Sequence, residues 1–146
     1  MGFTEVYHMK IIQIVGRSES GKTTFIRNLI PELKKKGTVA VIKHLGDHTY
    51  QLEEEKDTTI FFETGADISV GIDSHKAVAT MRKPALEDIL MILFNQGIAF
   101  AIIEGFKQRT FPKIVIGSLE AGNCILNNPS VNDVITSLDL FENFCP

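Results

Sequence analysis

Hydrophobic positions in this chain fall into short continuous runs and stripes at helical spacing, in alternation. Residues 10–15, with the run Ile11-Ile12-Gln13-Ile14-Val15, are apolar on both faces and predict a central strand of a parallel sheet. In residues 22–36, Phe25, Ile26, Leu29, Ile30 and Leu33 recur at helical spacing and predict a helix kinked by Pro31 and ended by Gly37. Residues 38–43 predict a second strand. A polar segment, 44–56, leads to Asp57 as the N-cap of a short helix ending at Gly65. Two short runs, 68–72 and 77–82, flank Asp73-Ser74-His75 and predict a hairpin. Pro84 starts a further helix with Leu86, Ile89, Leu90, Leu93 and Phe94 on its buried face and Gly97 at its end. Residues 98–103 form a fully apolar strand ending at Glu104. Residues 113–117 predict the next strand, followed by a loop that runs through Asn127-Asn128-Pro129, then 131–135 a last strand and 139–144 a closing helix. Residues 1–8 read as an N-terminal extension before a single domain, 9–146.

Strands alternating with helices imply a parallel sheet covered on both faces. Ligands of such sheets sit beyond the carboxyl ends of the strands. That rule gathers residues 16–24, 44–48 and 104–107 around one crevice, because each segment follows a predicted strand. The first segment, Gly16-Arg17-Ser18-Glu19-Ser20-Gly21-Lys22-Thr23-Thr24, contains a complete G-x-x-x-x-G-K-[ST] motif between strand and helix. Its backbone N–H groups are expected to cradle phosphates at a helix N-terminus. Lys22 then reaches the β- and γ-phosphates, and the Thr23 hydroxyl joins the shell of Mg²⁺. The expected fold is a three-layer α/β P-loop NTPase with a mostly parallel sheet and an additional β-hairpin.

Glu104-Gly105-Phe106-Lys107 follows the apolar strand and resembles a Walker-B-type strand end with Glu in place of Asp. Glu104 there can hold Mg²⁺ through water or orient an attacking water, which makes it, with Lys22, the candidate catalytic pair. Gly105 lets the backbone approach the phosphates, and Lys107 adds a cation. Lys43-His44-Leu45-Gly46-Asp47-His48 follows strand two. His44 and His48 are candidates for a second anionic ligand, a switch or a metal. Asp57 is a candidate second acid near Mg²⁺ as well as a cap. Phe106 is the one phenylalanine expected inside the site. No N/T-K-x-D guanine motif occurs, and Asp133 and Asp139 are weak substitutes for its acid.

Apolar content of 44% and charged content of 23% fit a globular chain, with a formal net charge of −3. No basic tract or aromatic–basic interleaving is present, so neither nucleic acid nor a membrane surface is an expected partner. Cys124 and Cys145 lack C-x-x-C spacing, which argues against a disulfide framework and for a cytoplasmic setting.

Together the motifs resemble the molybdopterin-guanine dinucleotide biosynthesis protein B (MobB) family. The matching pieces are IVGRSESGKTT, VAVIKHLGDH, KDTTIFFETGA, IIEGFK and PKIVI, spread over most of residues 9–118. The combination of K-H-x-x-x-H with E-G-F-K is the specific part. The resemblance implies a homodimeric adaptor that binds GTP with Mg²⁺ and hydrolyses it slowly. Its implied partner is the guanylyltransferase that joins GMP to molybdopterin, with molybdopterin itself a candidate ligand. It further implies that Gly16–Thr24 bind phosphates, that Thr23 and Glu104 serve Mg²⁺, and that His44, His48 and Asp57 line the outer site. Three other readings stand beside it: a small-molecule kinase, a metallochaperone-type GTPase and a binding module with an inactive pocket. The alternating hairpin is expected to pair in a two-fold dimer.

Overall fold

The computed structural model of the chain describes residues 7–146; most of the expected N-terminal extension lies outside the described residues. Two compact units are present, one made of residues up to 45 together with 90–146, the other of residues 46–89.

The larger unit is built on a sheet in the order β2-β5-β1-β6-β7. These strands are β1 (Lys10–Gly16), β2 (Val39–Lys43), β5 (Phe100–Glu104), β6 (Lys113–Ile116) and β7 (Cys124–Asn127). All pairings along this path are parallel. Helix α1 (Lys22–Lys34) carries Ile26, Leu29 and Leu33 into a cluster with Ile12 and Ile14 of β1, Ile102 of β5 and Ile114 of β6. This is the expected amphipathic stripe on an aliphatic sheet face.

The C-terminal part departs from expectation. Residues 131–135 form helix α4 (Val131–Ile135) and not a strand. The Ser130 hydroxyl accepts from the Asp133 amide at 3.0 Å, and the Asp133 carboxylate accepts from the Ser130 amide at 2.9 Å. This capping box starts a helix despite the β-branched residues, and Val134 joins the aliphatic cluster. It also gives Asp133 a structural role at the start of α4. In place of a closing helix there are a 3₁₀ turn (Leu138–Leu140) and a two-residue strand, β8 (Glu142–Asn143). β8 pairs antiparallel with Lys10 and Ile11. β6 begins to pair with β1 only at Gln13, so β8 occupies the part of the β1 edge that β6 leaves open. β7 lies where a loop was expected. β2 is an edge strand, half exposed along its length.

The smaller unit contains α2 (Asp57–Thr64) and an antiparallel ribbon of β3 (Ile68–Ile72) and β4 (Ala77–Met81), as the hairpin pattern predicted. The turn is tied by Asp73, whose carboxylate accepts from the His75 and Lys76 amides. Asp57 is the first helical residue and Lys56 the N-cap, with no side-chain cap. Asp57 therefore acts as an acid in the first turn, where it suits the dipole, and not as the cap. One ribbon face meets α2: the Ser69 hydroxyl donates to the Thr58 carbonyl at 2.8 Å. The other face presents Ile68, Val70 and Ile72, opposite Met81, Ala79 and Ala77. Ile68 is 56%, Val70 49% and Ile72 81% exposed. Helix α3 (Leu86–Asn95) carries the chain back to the larger unit, and Gly97 follows it. Among the described residues no helix is long and apolar enough to cross a membrane.

Candidate functional site

β1 delivers the chain to Gly16, and α1 starts at Lys22, so residues 17–21 form the tight loop that the motif predicts. Gly21 takes φ 96° at the helix N-cap, a left-handed conformation that a side chain resists. No side chain caps α1, so its first-turn N–H groups lack the usual side-chain acceptor. The Ser20 hydroxyl is buried without a hydrogen-bond partner. An uncapped helix start and an orphaned hydroxyl in one loop fit an anion with several acceptor oxygens.

Lys22 folds back over this loop. Its Nζ donates to the carbonyls of Gly16 and Arg17, both at 2.8 Å, and stands 3.9 Å from Glu104 Oε1. Lys43 Nζ lies 3.5 Å from the other carboxylate oxygen. Glu104 thus sits between two ammonium groups, with its side chain only 12% exposed. Burial pulls the Lys22 ammonium below the ordinary lysine value, Glu104 pulls it back, and Lys107 and Lys43 push it further down. The site therefore sets two ammonium groups against one carboxylate, with Lys107 near enough to act on Lys22. That excess positive charge suits a polyphosphate.

β5 places Glu104 beside the loop because Ile14 pairs with Glu104 across the parallel ladder. Gly105 follows with φ 96°, and a Cβ on it would stand 3.0 Å from that of His44. The glycine is thus required by both conformation and space. Phe106 stacks on the His44 ring with centroids 4.4 Å apart, so Phe106 does stand beside the site segments. Thr23 and Thr24 lie exposed in the first turn of α1, and Lys107 is exposed after β5. For Mg²⁺, the available donors are the Thr23 hydroxyl and the Glu104 carboxylate, hard oxygen ligands of the type that ion takes. Among the described residues no group of three or more His, Cys, Asp or Glu side chains is arranged to hold a metal.

The larger unit thus brings together Gly16, Arg17, Ser18, Glu19, Ser20, Gly21, Lys22, Thr23, His44, Glu104, Gly105 and Lys107. His48 and Asp57 are exposed residues of the smaller unit. Sequence reasoning missed Lys43, which it counted as strand; its place directly before His44 was the available signal. It also missed two buried polar residues. Gln13 and Lys113 are 0% and 1% exposed. Gln13 Nε2 donates to the carbonyls of Gly105 and Phe106, both at 2.8 Å. Lys113 Nζ donates to those of Arg109 at 2.7 Å, Phe111 at 3.2 Å and Gly122 at 3.1 Å. An amide within an otherwise aliphatic strand was the signal for Gln13.

A glycine loop between a strand and an uncapped helix, with an acid ending the neighbouring parallel strand, defines a P-loop NTPase fold. The chain belongs to the MobB family: the family described as Molybdopterin guanine dinucleotide synthesis protein B matches residues 11–137. It is similar to a putative molybdopterin-guanine dinucleotide biosynthesis adapter protein of Methanocaldococcus jannaschii, 34% identical over 82% of this chain and 52% of that protein. It is also similar to the molybdopterin-guanine dinucleotide biosynthesis adapter protein of Haemophilus influenzae, 37% identical over 73% of this chain and 62% of that protein. The chain thus spans between about half and two thirds of the length of these relatives. The fold matches the crystal structure of Bacillus subtilis MobB with a TM-score of 0.69 at 23% identity, over 92% of this chain and 99% of that one. A MobB homologue from Bacillus stearothermophilus matches with a TM-score of 0.61 at 21% identity, over 90% of this chain and 94% of that one.

Proposed function

We propose that this chain binds GTP with Mg²⁺ and acts in the cytoplasm as an adapter in molybdenum cofactor biosynthesis. Its partner would be the guanylyltransferase that attaches GMP to molybdopterin. The observation that carries the reading is the loop-and-carboxylate geometry: an uncapped phosphate loop beside Glu104, which is held between Lys22 and Lys43. The names of the curated relatives support the pathway.

On this reading the amides of residues 16–21 and the start of α1 take the phosphates, with Thr23 and Thr24 in the first turn. Lys22 exchanges the carbonyls of Gly16 and Arg17 for phosphate oxygens, a stronger, charge-assisted pairing. Thr23 and Glu104 would hold Mg²⁺, which when bound neutralises charge on the β- and γ-phosphates. Lys43 and Lys107 balance the remaining charge, and Gly105 leaves room beside His44. His48 and Asp57, in the smaller unit, are candidates to contact molybdopterin or a segment of the transferase. Glu104 is committed to the metal on this reading, and slow hydrolysis is the expected rate.

The uncovered ribbon face pairs with that of a second copy. Six aliphatic side chains on a two-stranded ribbon form an unpartnered patch of the kind that marks association surfaces. Adding the chain to purified guanylyltransferase, molybdopterin and GTP tests the role. Dinucleotide formation should rise with the wild-type chain and not with Lys22→Ala; no rise with either protein would overturn the adapter reading.

A further inference from the structure

β5 ends at Glu104 and β6 begins at Lys113, with β1 between them in the sheet. Gln13 is in register with Ile103 on one side and Lys113 on the other. The chain therefore crosses β1 in residues 105–112 without a helix. Parallel strands are usually joined by a dozen or more residues, most often helical, and a helix satisfies its own backbone. This loop does not. Alternation along β1 puts Gln13 on the face opposite Ile12 and Ile14, which pack with α1.

On that face the loop's carbonyls are met by side chains. Gln13 takes Gly105 and Phe106, Lys113 takes Arg109 and Phe111, and Asn123 Nδ2 donates to Thr110 at 2.7 Å. The first two carbonyls belong to residues in left-handed conformations, with φ 96° at Gly105 and 53° at Phe106. The amide orientation of Gln13 follows from its partners, because a flipped amide would set its oxygen against two carbonyls. Its Oε1 is then buried with no partner. Aliphatic packing alone would not select such a residue, since every other buried side chain of β1 is aliphatic.

We propose that Gln13, with Lys113 beside it, is a positioning residue for the nucleotide site. It fixes the turn after Glu104, and so the direction in which that carboxylate and Lys107 face the loop of residues 16–21. This rests on the reading of Glu104 as the carboxylate on the metal side of the nucleotide.

The test is the ratio of GTP affinity with Mg²⁺ to GTP affinity in EDTA, measured on the whole chain. Circular dichroism checks the fold of each variant. Glu104→Gln should collapse the ratio. Gln13→Met, of similar size but without a donor, should lower it by about 10- to 100-fold, as loss of an outer-shell partner does. The EDTA affinity should hold, and the double variant should be no worse than Glu104→Gln. If Gln13→Met does not fold, Gln13→Asn, one methylene short of the carbonyls, carries the same expectation. A collapse in Glu104→Gln with a wild-type ratio in the folded Gln13 variant would overturn the proposal and leave the site reading intact. A wild-type ratio in Glu104→Gln would remove both.

Discussion

The two faces of β1 solve the same problem in opposite ways. On one, Ile12 and Ile14 pack in a cluster with residues of α1 and α4, elements whose mid-chain backbone bonds are made within the helix. On the other, Gln13 lies beneath a crossover that has no helix, and the sheet itself lends donors to the loop. A helical crossover asks only for apolar surface. A loop crossover asks for buried amide and ammonium groups, and in this chain that loop begins at the candidate site carboxylate.

The largest break in the comparison is expected from Ile12→Ala. Truncation in the aliphatic cluster should cost about 2–5 kcal/mol through lost burial and a residual cavity. Urea unfolding measures this, and the Mg²⁺ dependence of GTP affinity should not move in the folded variant. A shift in that dependence would mean that the two faces are not separable.

Lys113→Met should cost less, about 1–3 kcal/mol, because carbonyls lose a donor while a buried charge is also removed. Burial holds the Lys113 ammonium below the ordinary lysine value of 10.5, with Cys124 pulling it back. Between that lowered value and 10.5 the unfolded chain binds more protons than the folded one, so stability rises with pH. The wild type should therefore gain on Lys113→Met as pH climbs towards 10.5, while contributions common to both proteins cancel. A difference that shrinks over that range would contradict the burial of a charged amine.

Ser130→Ala should cost about 1 kcal/mol through loss of the cap on α4. Thermal melting is sufficient to detect it. No change would mean that α4 contributes little to the aliphatic side.

The aliphatic side was the more legible in the sequence. The stripe of α1 and the run before Glu104 follow from local pattern and stand where expected, as does the hairpin turn at Asp73 in the smaller unit. The end of the chain was not legible. Val131 and Val134 suggested a strand, but the reciprocal bonds of Ser130 and Asp133 outweigh β propensity over five residues. β8 is two residues long and exists because β6 joins the β1 edge late, a fact of register that no local pattern carries. At the site, the spacing of Gly16, Gly21, Lys22 and Thr23 was readable because the motif is contiguous. Lys43 and Gln13 lay within strands, where alternation shows a face but not what crosses it. Asp57 was displaced by one residue, the usual margin of a helix start.

Everything proposed for this chain rests on the binding of GTP with Mg²⁺ at the loop of Gly16–Thr24. Equilibrium binding of labelled GTP and ATP with Mg²⁺, with Lys22→Ala as the control, tests it most directly. The expected result is a clear preference for GTP that Lys22→Ala abolishes. Preference for ATP, or GTP binding that Lys22→Ala leaves unchanged, would contradict it.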